Sequence, residues 1–168
     1  GTAGARKVLR YYRAGDADDQ PWLQDDAYRA RLSRLVVDSA DFWVIHRLTV
    51  DPGVASTAVA INLMQATGAT NNILSRMLVQ HGGGLNSAMV RIDSDDNTVQ
   101  NSVVRTGYTA ENDDSNCLTV SKAHHARIVN NELYDCTRTF SSRARPGVGS
   151  TRNTTRRRRG EEARATGA

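Results

Sequence analysis

A chain of 168 residues with 39% hydrophobic residues has the length and composition of one domain with its own core. No apolar run approaches the roughly 18 to 20 residues that a membrane-spanning helix needs, which argues against a helical span. The net charge of +4 is concentrated at one end: residues 141–168 hold eight Arg and two Glu, which leaves −2 for residues 1–140. Nucleic acid is therefore not an expected partner, because a binding groove needs its cations on the folded surface with aromatics among them.

GTAG (1–4) reads as a turn and Val8 to Tyr12 as a short strand entering a sheet. Residues 15–34 are polar, acidic and then Arg-rich, with Pro21 as a breaker. They are expected to form a surface insertion with one helical turn around Asp25 to Leu32. Leu35 to Val37 resumes strand character, and SAD (39–41) turns the chain into the segment that organises the rest.

From Trp43 to Cys136 one short apolar pattern returns about every 28 residues, as VIHRLTV (44–50), NILSRMLV (72–79), TVQNSVV (98–104) and RIVNNELY (127–134). Aligning Ile45, Ile73, Val99 and Ile128 also aligns Val50, Leu78, Val104 and Leu133, with steps of 28, 26 and 29 residues. A second set of rows lies between these strands: Val59, Val90 and Leu118, and Ile61, Ile92 and Val120. Two columns per period require at least two strands per repeat. The alternation in AVAIN (58–62) and CLTVS (117–121) marks strands with one buried face. The apolar runs are short and β-branched, whereas a helical solenoid of this period needs two runs of about 10 or more residues at i, i+3, i+4 spacing. The expected fold is all-β, a right-handed parallel β-helix of about four turns occupying residues 1–140.

The connections are of two kinds. Long ones, 51–58, 80–89 and 105–116, follow the first columns, and tighter corners, 64–70, 94–97 and 122–126, follow the second. Loops stacked on one face are where a solenoid carries its binding surface. After Phe140 the periodicity stops, and residues 141–168 are expected to be a disordered Arg-rich tail. Gly1 at the start and this abrupt end together suggest a fragment, with a frame break after the last repeat. Cys117 and Cys136 permit one disulfide without requiring it, two free buried thiols being the favoured reading.

Three phrases, ADFWVIHRLTV (40–50), TVQNSVV (98–104) and RIVNNELYDC (127–136), resemble right-handed parallel β-helix proteins of the pectate-lyase-like superfamily. Many of these have a Gly where His46 and Arg47 stand here. GTAG (1–4) with VLRYY (8–12) is similar to the preceding turn of alginate-lyase and chondroitinase-like members. The resemblance implies a secreted or cell-surface monomer, an acidic polysaccharide as partner, β-elimination as chemistry and Ca²⁺ as cofactor. Asn131 fits a short Asn ladder at a coil corner, with Arg76 and Ser102 in the same column.

Asp93, Asp95 and Asp96 in DSDDN (93–97) are the candidate Ca²⁺ ligands, since alternate oxygen donors suit that ion. The bland alternative is a polar corner, and the segment is no EF-hand, with Thr98 and Val104 where Gly and Glu belong. Lys122, the one lysine of the repeats, is the candidate base, against an ion pair with the acidic corner. His124 is expected over Asp96, and Lys122 within diagonal reach of Asp95. His81, Arg105, Asp113, Asp114 and His124 are the candidate substrate contacts on the loops and corners. His81 opens a Gly-rich stretch similar to an esterase oxyanion loop, but the chain has no G-x-S-x-G to accompany it. His124, His125 and Cys117 match no zinc spacing. Trp22 and Trp43 suit sugar stacking, with packing the stronger expectation for Trp43. Binding, with or without cleavage, of an acidic polysaccharide stands beside two alternatives, a non-catalytic surface or adhesion module and an inactive fragment.

Overall fold

The computed structural model describes residues 2–11, 30–53, 59–63, 69–83, 88–107, 116–143, 149–151 and 154–156. The described residues form no helix. Their strands come in successive sets of three. The first set is β1 (Lys7–Arg10), β2 (Arg31–Leu32) and β3 (Leu35–Val37), and the second is β4 (Trp43–His46), β5 (Thr49–Val50) and β6 (Ile61–Leu63). The third is β7 (Ile73–Ser75), β8 (Leu78–Gln80) and β9 (Ala88–Ile92), and the fourth is β10 (Thr98–Gln100), β11 (Val103–Arg105) and β12 (Asn116–Ser121). The fifth is β13 (Arg127–Val129), β14 (Glu132–Tyr134) and β15 (Arg138–Arg143), followed by β16 (Gly149–Thr151) and β17 (Thr154–Arg156).

Each strand pairs in parallel with the strand three places further on, which yields three parallel sheets. The first sheet is β1-β4-β7-β10-β13-β16, the second β2-β5-β8-β11-β14-β17 and the third β3-β6-β9-β12-β15. The period read from the sequence is therefore real. Its content is three strands per repeat, because the first column holds two short strands separated by a sharp corner.

The buried columns differ from the sequence alignment by one residue in the third set. Ile45 lies opposite Leu74, Leu74 opposite Val99, and Val99 opposite Ile128. Likewise Val50 faces Val79, Val79 faces Val104, and Val104 faces Leu133. Ile73 and Leu78 are thus displaced from the core columns to the alternate face of their strands. A one-residue shift turns a strand over, so this difference decides which side chains fill the core. In the third sheet the difference is two residues, Ile61 facing Val90 and Leu63 facing Ile92, and a shift of two leaves the face unchanged. Leu74, Val79, Val104, Ile128, Leu133, Leu118 and Val120 are all almost wholly buried.

Corners recur in register. Arg47, Arg76, Asn101 and Asn130 have positive φ between the first and second sheets, and His81, Thr106 and Asp135 do so after the second. Phe42, Asn71, Asp96 and His125 repeat the device before β4, β7, β10 and β13 of the first sheet. Asn and Asp tolerate this left-handed conformation best, which explains their place beside the apolar runs. Side-chain amides then satisfy buried main chain at the corners. Asn131 accepts from the Ser102 N–H at 2.9 Å and donates to the Val99 carbonyl at 2.9 Å. Ser102 Oγ in turn accepts from the Met77 N–H at 3.1 Å, so Met77 and not Arg76 completes that column. A second ladder escaped the sequence reading: Asn97 Oδ1 accepts from the Asn72 N–H, and Asn72 Oδ1 from the Trp43 N–H, each at 2.9 Å.

Two further expectations change. Arg31 and Leu32, assigned to a helical turn, are strand β2, because pairing with Thr49 and Val50 overrides local helical spacing; residues 15–29 of that insertion, Trp22 among them, lie outside the described residues. The segment after Phe140, expected to be disordered, carries the end of β15 and all of β16 and β17. These pair through main-chain groups, with β16 on β13 and β17 on β14. Their Ser, Thr and Gly residues contribute almost no apolar signal for composition to detect.

Cys117 and Cys136 form a disulfide, in place of the free thiols the sequence favoured. It joins the start of β12 to the corner after β14, where both residues are buried. Gly107 passes so close that a Cβ there would meet Cys136 Sγ and Met89 Sδ, each at 3.2 Å. The bridge closes a span of 19 residues, for which the chain-entropy model gives about 3 kcal/mol. Replacing both cysteines by Ser is expected to lower unfolding stability by about that amount in urea titration.

Candidate functional site

The residue after each core position of the second sheet points away from the core by strand alternation. In consecutive sets these residues are Asp51, Gln80, Arg105 and Tyr134, with Gln80 and Tyr134 both in register with Arg105. Neighbours in such a row sit roughly 4.8 Å apart, so their polar groups meet from strand to strand. Long connections leave the sheet from this same edge.

Asp51 is the anchor of the row, its side chain fully buried. Oδ1 accepts the Gly53 N–H at 2.9 Å and lies 3.1 Å from His81 Nδ1. Oδ2 accepts Gln80 Nε2 at 2.8 Å and the guanidinium of Arg31, which reaches over from β2. Gln80 Oε1 accepts both Nε and Nη2 of Arg105 at 3.1 Å, and Arg105 Nη1 donates to the Tyr134 hydroxyl at 3.3 Å. One hydrogen-bonded chain thus runs across the sheet from Arg31 to Tyr134.

Burial pushes the Asp51 carboxyl up, but hydrogen bonds from Gln80, Arg31, the Gly53 N–H and His81 outweigh it and hold the group well below the usual carboxylate range. Asp51 is therefore ionised and has no proton to give. His81 Nδ1 must carry the hydrogen of their contact, which leaves Nε2 as the acceptor of the neutral ring. Nε2 has no hydrogen-bond partner among the described residues. The His81 side chain is 26% exposed, against 0% for Asp51, so the ring carries the pair's chemistry to the surface. The positive φ of His81 belongs to the recurrent corner it shares with Thr106 and Asp135, and its N–H donates to the Thr106 carbonyl at 3.0 Å.

Of the residues the sequence singled out, His81 and Arg105 come together here. Lys122, His124, Asp93, Asp95 and Asp96 lie elsewhere, at the corners that follow the third sheet. His124 stands over Asp95 rather than Asp96: its N–H donates to Asp95 Oδ1 at 2.7 Å and its Nδ1 lies 3.1 Å away. His125 takes Asp96 at 3.3 Å. These contacts leave Lys122 exposed and without an ion pair to a described residue, in place of the expected contact with Asp95. The Asp95 carboxyl is lowered, chiefly by the His124 N–H acting against a smaller upward push from burial.

The three aspartates do not fit a Ca²⁺ ion, which takes six to eight oxygens around one centre. Asp93 turns to Arg91 at 2.7 Å and the other two turn to histidines. Asp93 Oδ1 is buried without a partner, a single oxygen rather than a ligand set. Among the described residues no three His, Cys, Asp or Glu side chains gather at one point. Asn97, the last residue of the acidic stretch, holds this corner closed, its Nδ2 donating to the Ala69 and Ser94 carbonyls at 2.8 and 3.0 Å. Asp113 and Asp114 lie outside the described residues. Trp43 packs against the core, with the Lys7 ammonium 5.5 Å from its ring centre.

Sequence reasoning missed Arg31, Asp51, Gln80 and Tyr134. The usable signal was a polar residue directly after each core position. Placing Leu78 in the column puts Val79 next in that row and breaks it, whereas the true 29-residue step from Asp51 to Gln80 restores it. Comparison with protein-family models, with characterised proteins and with solved structures gives no match.

Proposed function

We propose that the three parallel sheets wrap as a right-handed parallel β-helix, and that the chain binds an acidic polysaccharide along the edge lined by Arg31, Gln80, His81, Arg105 and Tyr134. Parallel strands joined by crossovers are right-handed in nearly all proteins, and a strict three-strand period is the pattern a coiled sheet produces. The observation that carries the binding reading is the oriented guanidinium of Arg105, held by Gln80 and Tyr134 in the hydrogen-bonded chain that begins at Arg31. Guanidinium groups match carboxylates in two-point geometry, and hydroxyl and amide neighbours suit sugar hydroxyls. The Cys117–Cys136 bridge supports a secreted or cell-surface location, since disulfides persist in oxidising compartments.

Retention on immobilised pectate, alginate and chondroitin, with neutral dextran as control, tests the reading. The wild-type chain is expected to be retarded by at least one acidic polymer and not by dextran. Arg105→Ala is expected to weaken that binding about tenfold, as loss of one charge-assisted contact of roughly 1.5 kcal/mol implies. Equal retention on dextran, or unchanged binding by Arg105→Ala, counts against it. A folded chain that binds none of the polymers favours the surface-module alternative.

A further inference from the structure

We propose that His124 and His125 form a surface site for a borderline divalent transition ion, Cu²⁺ in first place, with Asp95 and Asp96 of the preceding turn as their positioning residues. The site lies at the corner after β12 and is independent of the edge described above. Three observations lead to it. Neighbours in an extended strand point to opposite faces, but the positive φ of His125 breaks that alternation, and the two imidazoles lie with their centres 6.1 Å apart. At metal–nitrogen lengths of about 2.0 to 2.1 Å, two rings sharing one ion have centres no more than about 6.5 Å apart. The observed separation falls within that reach.

Each ring is held through Nδ1, by Asp95 Oδ1 at 3.1 Å for His124 and by Asp96 Oδ1 at 3.3 Å for His125. A carboxylate only accepts, so each neutral ring carries its hydrogen on Nδ1 and presents the lone pair of Nε2. An imidazole that donates its second N–H to a carboxylate is oriented and made more basic as a ligand. Both rings also reach solvent, their side chains being 34% and 67% exposed. Imidazole nitrogen favours Cu²⁺, Ni²⁺ and Zn²⁺ over Ca²⁺ and Mg²⁺, and among these Cu²⁺ binds most tightly. The carboxylates sit behind the rings and offset the charge of the ion without ligating it. Two protein ligands leave the remaining positions to water, so the ion is exchangeable and not a structural staple. His81 has a carboxylate on Nδ1 as well, but it stands at a different corner, after the second sheet, and serves as an internal control.

The full chain is titrated with CuCl₂ in a chelator-free buffer and followed by calorimetry and electron spin resonance. The first equivalent is expected to bind with nitrogen hyperfine structure from two imidazoles, NiCl₂ is expected to bind more weakly, and CaCl₂ is expected not to displace the copper. His124→Gln keeps the main-chain bond from residue 124 to Asp95, and Asn tolerates the positive φ of position 125, so His124→Gln and His125→Asn both retain the corner. Each is expected to weaken the first equivalent by at least about tenfold, and Asp95→Asn, whose amide oxygen still accepts from the His124 main chain, by about tenfold. A purely structural role for the two pairs would move the metal-free thermal midpoint and leave copper affinity unchanged. Undiminished binding of the first equivalent in either histidine variant therefore overturns the proposal. Its loss in His81→Asn while His125→Asn binds normally also overturns it, as does displacement by CaCl₂, which would place oxygen donors around the ion.

Discussion

Asp51→Ala is expected to destabilise the fold by about 3 to 4 kcal/mol at neutral pH, measured by urea denaturation with linear extrapolation. The carboxylate is fully buried, and its removal orphans the Gly53 N–H, Gln80 Nε2 and the Nδ1–H of His81 at once. A buried donor left without a partner costs about 1 to 3 kcal/mol, which sets the scale. Arg31 adds less than its charge suggests, because its side chain is 63% exposed and water screens the pair. Gln80 also orients Arg105, so the damage should spread along the row toward Tyr134. A loss under about 1 kcal/mol would show that water takes over these contacts and that the row is not a cooperative unit.

The pH dependence follows from the same group. The folded-state pKa of Asp51 lies below its unfolded value of about 3.9, so its contribution is complete above roughly pH 4 and disappears as pH falls through the folded-state value. Asp95, lowered as well, titrates in the same direction at the His124 corner. The informative quantity is therefore the difference between wild-type and Asp51→Ala stability. It should be constant from pH 7 to about pH 5 and shrink on further acidification. A difference that grew toward low pH would mean that the carboxyl is protonated more readily in the fold than outside it.

How much of this was legible can be judged residue by residue. The period and the all-β class were visible because β-branched runs separated by Asn, Asp and Gly have few other readings. His81 and Arg105 were singled out by their place at the start of long connections. Asp51 was invisible as an anchor, since an Asp before Pro52 looks like an ordinary turn until Gln80 is seen beside it. Pairing between distant repeats, not local propensity, sets that neighbourhood. The disulfide was open for the same reason, because a span between two cysteines does not report their distance. The acidic corner misled in the opposite sense, drawing notice by its charge while Asn97 and the two histidines already account for its shape.

The register difference at the third set offers the sharpest test of the fold. Spacing alone makes Ile73 the core residue, whereas the structure places Leu74 there, opposite Ile45 and Val99 and wholly buried, with Ile73 half-buried on the alternate face. Leu74→Ala is expected to cost about 3 to 4 kcal/mol, since the removed atoms lose burial and neighbours paired on both sides cannot collapse into the space. Ile73→Ala is expected to cost about 1 kcal/mol, as partial exposure and open surroundings reduce both terms. The pair is matched in size and chemistry and differs only in face, so denaturation midpoints at equal slope compare them directly. The reverse order would return Ile73 to the column, turn β7 over, and carry β8 with it through the short corner at Arg76. Gln80 would then leave the row that joins Asp51 to Arg105, and the candidate site would lose its connection along with the register.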